Sequence, residues 1–468
     1  MIRYISTRGP GDPKTFLDVM MAGLAPDGGL YVPDSWPEFD HDMLSHLAGT
    51  PYTNIAATIM TPFMGKTLSA GGLQKLLADT YEGGFFNHSA IAPLTQIGPN
   101  AWLLELFHGP TLSFKDYALQ FIGRLFDQIL QDRGQTLTII GATSGDTGSA
   151  AIEALRHCKN ITTIILHPKG RTSDVQRRQM TTVDAPNIHN LAIDGTFDDC
   201  QALVKAMLGD ARLQQELRLS AVNSINWARI MAQVVYYVAA AVALGAPGRP
   251  VSFTVPTGNF GNIYAGWVAR QIGLPIHRLT MASNRNDILT RFFETAEMRV
   301  EKVLPSLSPS MDIQVSSNFE RYLFDLLRRD HAALNRLMLH LNTKRAFSVG
   351  PDFLKQANQD FRAERCNDTE TLDIMRSCYE ETGVLIDPHT AVGVHAALRT
   401  QDDPSIPSVI LACAHPAKFP DAVEQATGIR PALPEHLADL MDRAEHYTAM
   451  PNDLQKVVAF VRAATPKT

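Results

Sequence analysis

The chain of 468 residues carries 42 Lys plus Arg against 48 Asp plus Glu, a net charge of −6, with 45% hydrophobic and 19% charged residues. That balance excludes a chain that is mainly disordered. It also excludes a general nucleic-acid binder, which needs a basic stripe. The length fits about three domains, or two with a large insertion.

The start, MIRYISTRGPGDPK, has no apolar run, so no signal peptide is expected. Residues 1–90 read as a mostly helical accessory region broken by Gly and Pro, with Gly23–Pro33 a turn leading into a short extended segment. From about Ile91 the texture changes to short apolar runs alternating with helical patterns. The runs 137–140, 161–166, 188–193, 251–255 and 408–413 read as buried strands; 149–156, 200–207 and 228–244 read as helices. Alternation of this kind predicts α/β layers with mostly parallel strands. The uncharged stretch Ile230–Gly248 predicts a buried core helix, since a membrane span needs about 20 strongly apolar residues. We expect α/β domains over 91–245 and 246–430, the second with a charge-rich helical insertion at about 284–380, and a helical tail over 431–468. The five cysteines, at 158, 200, 366, 378 and 413, form no CxxC pair, which predicts a reducing compartment and no zinc site.

In open α/β sheets, ligands bind beyond the carboxyl ends of the strands, so the turns there matter most. Gly141–Gly148 (GATSGDTG) follows the 137–140 strand and precedes a helix. Its small residues, hydroxyls and N–H groups suit an anion. A dinucleotide turn competes, but the spacing is GxxxGxxG, the next strand ends in HPK without an acid for a ribose, and no Tyr has a Lys four residues on. Pro256–Asn262 (PTGNFGN) follows the 251–255 strand and reads as a phosphate cup. His108–Asp116 (HGPTLSFKD) precedes a helical pattern, with Ser113 as the expected N-cap. Lys115 then sits in the first turn, where the helix dipole and apolar neighbours favour a neutral amine. An ion pair with Asp116 would oppose that. Asn223–Arg229 (NSINWAR) opens the long uncharged helix, and its arginine could clamp a phosphate bidentately. By contrast, His389 and His395 lack metal-ligand spacing. Asp387–Pro388 and Ser316–Asn318 read as helix caps. Taken singly, each Gly-rich turn could be purely structural and Lys115 a surface lysine.

Together these motifs, with STRG at 6–9, SPSMDIQVSSNFER at 308–321 and AHPAKF at 414–419, resemble the threonine synthase family of pyridoxal-phosphate (PLP) enzymes over nearly the whole chain. The resemblance implies PLP fold type II, the tryptophan-synthase-β fold, with two parallel-sheet α/β domains plus a helical N-terminal region. It implies Lys115 as the Schiff-base lysine and Gly258, Asn259, Phe260, Gly261 and Asn262 as the cradle of the cofactor phosphate. Asp146 would lie near the pyridine 3′-oxygen, where relatives often carry Asn. Cys413 would face the ring nitrogen, where many relatives have Ser or Thr. Thr143, Ser144 and Thr147 would hold the substrate carboxylate. Asn223, Ser224, Arg229 and Thr147 would grip the phosphate of O-phospho-L-homoserine. The implied reaction is γ-elimination of phosphate and addition of water to give L-threonine, in a cytoplasmic monomer or homodimer without metal, membrane or nucleic acid. Three other readings differ in outcome. A threonine-synthase-like phospho-lyase would release 2-oxobutyrate, an oxidoreductase would need the missing dinucleotide features, and a non-catalytic anion binder would not need Lys115.

Overall fold

The computed structural model describes residues 1–143, 145–221 and 224–465. The chain forms two compact units, each assembled from separate stretches of sequence. One comprises Met1–Met20, Leu24–His108 and Ser224–Pro431; the other comprises Met21–Gly23, Gly109–Asn223 and Ala432–Thr468.

The larger unit is built on a six-stranded sheet in the order Phe361–Arg365, Ile276–Ser283, Val251–Pro256, Ser408–Ala412, Ala101–Glu105 and Leu94–Gly98. Every pairing is parallel except the last, where Leu94–Gly98 and Ala101–Glu105 make an antiparallel hairpin. Helices Trp227–Ala243, Gly261–Gln271 and Pro388–Thr400 belong to the same unit, and most of their residues are buried. The uncharged stretch is thus a core helix, and among the described residues no helix is long and apolar enough to cross a membrane. Four helices lie within residues 16–81, alongside an antiparallel pair of Tyr4–Ser6 with Tyr31–Pro33.

The smaller unit is built on a five-stranded, wholly parallel sheet in the order Thr448–Pro451, Ile188–Asp194, Ile161–Pro168, Leu137–Ala142 and Leu219–Ala221. All eight residues of the Ile161–Pro168 strand are buried, as a central parallel strand covered on both faces requires. Ile140, Ile164, Leu166, Leu191 and Ile193 pack with Leu203 and Met207 of the helix Phe197–Gly209 and with Val457 and Val461 of the helix Leu454–Ala464.

These units follow strand pairing and not the contiguous segments expected over 91–245, 246–430 and 431–468. Ala101–Glu105 pairs with Ser408–Ala412, which draws the residues up to His108 into the larger unit. The C-terminal tail adds an edge strand to the smaller one. The stretch 284–380 holds five helices and also the edge strand Phe361–Arg365.

Candidate active site

In the smaller unit, the helix Lys115–Arg133 begins at Lys115 itself. The expected Ser113 cap does not form. Phe114 occupies the N-cap with no side-chain bond, and the buried Ser113 hydroxyl meets no partner among the described residues. The loop is closed instead at Asp116. Its carboxylate folds back and accepts from the Thr111 N–H (2.8 Å) and the Thr111 hydroxyl (2.7 Å). Gly109 permits this, because a Cβ there would come within 2.6 Å of Asp116 Oδ2. The carboxylate that faces the lysine is instead Asp146, with Nζ to Oδ2 at 3.3 Å. Lys115 is only 9% exposed, and its Nζ lies 4.6 Å from the centroid of the Phe114 ring.

Asp146 opens the helix Asp146–Leu155, where a negative charge suits the dipole. The preceding turn is shaped by Thr143, whose hydroxyl accepts from Gly145 N (3.0 Å) and Gly148 N (2.9 Å). At Gly148 a Cβ would meet Thr143 Cγ2 at 2.4 Å, so glycine is required by packing. Asp146 Oδ1 accepts from Gln176 Nε2 at 2.9 Å. Gln176 escaped the sequence reading. Its signal was the S-x-x-Q spacing from Ser173, which caps the helix Asp174–Thr181 and donates to Gln176 Oε1 at 3.0 Å. Thr147 lies half-buried in the first turn after Asp146; Ser144 and Asn223 fall outside the described residues.

In the larger unit, Val251–Pro256 runs through Thr257–Phe260 into the helix Gly261–Gln271. Phe260 takes a left-handed conformation (φ 62°) and no side chain caps the helix. The carbonyl side of this turn is held by a segment read from sequence only as a cap. Ser316 Oγ donates to Gly258 O (2.8 Å), and Asn318 donates to Asn259 O through both N and Nδ2 (3.1 Å each). The N–H groups of Gly258 to Gly261 donate to no oxygen among the described residues. Uncapped donors at a helix N-terminus suit a phosphate, so the turn fits the cofactor that the sequence implies. Gly258 is needed for a second reason, since a Cβ would lie 2.9 Å from the Ser310 carbonyl oxygen.

Asn262 plays a different part from its turn neighbours. Its Oδ1 accepts from Tyr236 (2.5 Å) and Tyr237 (3.0 Å), and its Nδ2 donates to Cys413 Sγ at 3.8 Å. The carboxamide therefore fixes the thiol that follows the strand Ser408–Ala412. Arg229 is buried in the first turn of the helix Trp227–Ala243, which Asn226 caps by accepting from Ala228 N at 3.0 Å. Burial pulls its guanidinium down to about 10, which leaves it cationic at neutral pH. Ser224 O accepts from Asn318 Nδ2 at 3.1 Å. A second buried arginine, Arg321, also lowered to about 10 by burial, donates to Tyr31 O, Asn318 and Ile225 O. It braces the Asn318 segment, and the sequence reading gave it no role.

Asp387 does cap the helix Pro388–Thr400, accepting from His389 N and Thr390 N (3.0 Å each). His389 then bridges Asp387 (Nδ1, 2.6 Å) and the Ser310 N–H (Nε2, 3.2 Å), so its proton sits on Nδ1. Cys366, Glu370 and His395 bring ligand atoms within 4.8 Å of one another. However, Glu370 Oε2 accepts from Asn367 N at 2.8 Å in a capping box, and burial pushes the Cys366 thiol up to about 12. A metal needs the thiolate, so this trio is poorly suited to one.

Three family models match the chain. They are described as threonine synthase N terminus (residues 3–81), pyridoxal-phosphate dependent enzyme (residues 89–336) and threonine synthase, C-terminal (residues 390–461). A threonine synthase of Pseudomonas aeruginosa is 52% identical over 461 residues, covering 98% of each chain. The crystal structure of a PLP-bound threonine synthase from Brucella melitensis superposes with a TM-score of 0.97 at 48% identity, covering all of both chains. That of yeast threonine synthase gives 0.93 at 37% identity, covering 99% of this chain and 98% of the other.

Proposed function

The chain belongs to the threonine synthase family of PLP-dependent enzymes, and from that premise we propose that O-phospho-L-homoserine is its substrate and Lys115 its Schiff-base lysine. Its activity is that of a threonine synthase, a carbon–oxygen lyase. The observation that carries the site assignment is the buried Lys115 amine, 3.3 Å from Asp146 at the start of its helix. PLP, when bound, supplies an electron sink for the carbon bearing the substrate amine.

The roles of the chain's own groups follow from their chemistry. Gly258, Asn259, Phe260, Gly261 and Asn262 hold the cofactor phosphate through backbone N–H groups. Cys413, fixed by Asn262, would serve the pyridine nitrogen; a thiol is a weak donor and acceptor, so it would leave that nitrogen largely unprotonated. Asp146, oriented by Gln176, would serve the 3′-oxygen. The turn Thr143–Thr147, with Ser144, binds the substrate carboxylate, and Thr143 contributes chiefly by holding the turn's shape. Arg229, with Asn223, Ser224 and Thr147, binds the substrate phosphate and stabilises the charge that grows on it as it leaves. Lys115 would take the proton from Cα and then one from Cβ as phosphate leaves Cγ, and would return one to Cγ; water then adds its hydroxyl at Cβ and a proton returns to Cα. The buried cation of Arg229 and the helix N-termini supply local positive charge on an acidic protein. We place the enzyme in the cytosol, as a monomer or homodimer; its five cysteines are buried free thiols, as a reducing compartment allows.

The test supplies O-phospho-L-homoserine and PLP and measures phosphate, threonine and 2-oxobutyrate together. Threonine equal to phosphate is expected, whereas 2-oxobutyrate in its place would assign a phospho-lyase. Borohydride reduction followed by peptide mapping should place the label on Lys115, and a label on any other lysine overturns that role.

A further inference from the structure

The helix Asp174–Thr181 bonds to both sides of the Lys115–Asp146 contact. Ser173 caps it, and its third residue, Gln176, is held at both ends of its amide. The Ser173 hydroxyl donates to Oε1 at 3.0 Å, and Nε2 donates to Asp146 Oδ1 at 2.9 Å. The reverse setting of the amide would turn Oε1 towards a carboxylate oxygen, acceptor against acceptor, so one orientation alone bonds at both ends. The other oxygen of Asp146, Oδ2, lies 3.3 Å from Lys115 Nζ. The amide also sits against the turn before Asp146, where a Cβ on Gly145 would come within 2.5 Å of Gln176 Cδ. Gln176, Asp146 and Lys115 are 4%, 6% and 9% exposed, so bulk water does not screen or replace these bonds.

One turn further along the helix, Gln179 Nε2 donates to the Thr111 carbonyl at 3.2 Å. The Thr111 N–H and hydroxyl donate in turn to Asp116, the residue after Lys115. Residues three apart share a helix face, so one face carries a bond to the carboxylate and a bond to the lysine loop. Val175 packs with Leu112 of that loop, which takes a left-handed conformation (φ 62°). Gln179 Oε1 is buried and meets no partner among the described residues. A bare acceptor opposes folding. An apolar side chain would avoid that, so the bond to Thr111 is what a glutamine adds here.

We propose that Gln176 and Gln179 are positioning residues for the reaction: through them one helix fixes the Asp146 carboxylate against the lysine loop and so sets the charge beside the Lys115 nitrogen. The inference rests on the proposed role of Lys115. Its sign follows from electrostatics. A nearby carboxylate favours the protonated form of a nitrogen base. Without the Gln176 amide, Asp146 turns away or takes up the proton itself, and either change removes negative charge from beside that nitrogen.

The test is a pH titration of the holoenzyme followed by the visible absorbance of bound PLP, which reports whether the Lys115 nitrogen carries a proton. Gln176→Met keeps the length of the side chain and removes the donor. In it the nitrogen should lose its proton about one pH unit lower than in the wild type, a roughly tenfold change in acid dissociation constant. Its kcat should fall by about the same factor while KM for O-phospho-L-homoserine barely moves, as expected where only the chemical step is affected. Gln176→Glu is the isosteric partner. Two facing carboxylates share one proton at lower pH, which restores the bond to Asp146. This variant should approach the wild-type kcat on the acid side and lose it as pH rises. Gln179→Met should move the absorbance titration in the same direction as Gln176→Met and speed hydrogen exchange in peptides spanning 109–118. Thermal unfolding and bound-cofactor content verify that each variant is folded and loaded. A titration that stays in place or moves to higher pH in folded Gln176→Met makes Gln176 a packing residue and overturns the proposal. So does a Gln176→Glu variant with no recovery in acid. An unmoved titration and unchanged exchange in Gln179→Met overturn the part given to Gln179. Borohydride mapping separates these failures from that of the underlying role: a label away from Lys115 refutes the role itself, whereas a label on Lys115 with an unmoved titration refutes only the positioning.

Discussion

The place of Lys115 in a first helical turn was legible, because HGPTLSFKD precedes a helical pattern; its proposed role as the Schiff-base lysine came from the family resemblance, since the run alone fits a surface lysine equally well. Its counter-ion was not legible, because Asp146 lies 31 residues away and reaches Lys115 only through the fold. The same holds for Gln176, whose spacing from Ser173 is a capping signal only and which the fold turns towards Asp146. Lys115→Ala should lower kcat by at least about a thousandfold, since removing a nucleophile or general base costs that order; threonine production near the wild-type rate would refute its role. Arg229 gives a second prediction at this scale. A charge-assisted contact is worth about 1.5–3 kcal/mol, so Arg229→Lys should raise KM for O-phospho-L-homoserine by roughly ten- to a hundredfold. Binding of an unphosphorylated analogue should barely change. Equal losses for both ligands would make Arg229 a packing residue.

At the scale of elements, the buried parallel strands were readable because continuous apolar runs have few other uses. The strand Phe361–Arg365 was not, because FRAER carries three charges and sits at the edge of its sheet, where one partner suffices. Both strand-to-helix turns depend on glycine for steric room. In Gly148→Ala the new methyl meets Thr143 Cγ2 at 2.4 Å and Met180 Sδ at 2.9 Å. Overpacking of this kind costs about 1–3 kcal/mol, and urea unfolding should show it; a variant as stable as wild type would mean that the turn relaxes freely.

For the whole molecule, contiguous domain borders were the natural reading of composition, and strand pairing gave a different partition. The tail 432–468 is tied into the smaller unit by Glu445, which accepts from Arg177 Nε (2.9 Å) and from the Thr181 hydroxyl (2.6 Å). The Arg177 guanidinium holds the Glu445 carboxyl below its usual range. A carboxyl lowered by folding adds stability above its unfolded pKa and loses it as pH falls through the folded value. Glu445→Gln should therefore destabilise the protein at pH 7 by about 1–2 kcal/mol, with the gap to wild type closing in acid. A gap that persists at pH 3 would show that packing, and not charge, is the source.

The edge strand Thr448–Pro451 has a consequence for how the chain is made. Its partner, Ile188–Asp194, leaves the ribosome more than 250 residues earlier, about 13 to 50 seconds at about 5–20 residues per second. During that interval the row of backbone groups destined for Thr448–Pro451 stands open to any passing extended segment. A nascent chain halted near residue 431 should therefore be the aggregation-prone species, and one released after residue 465 should not.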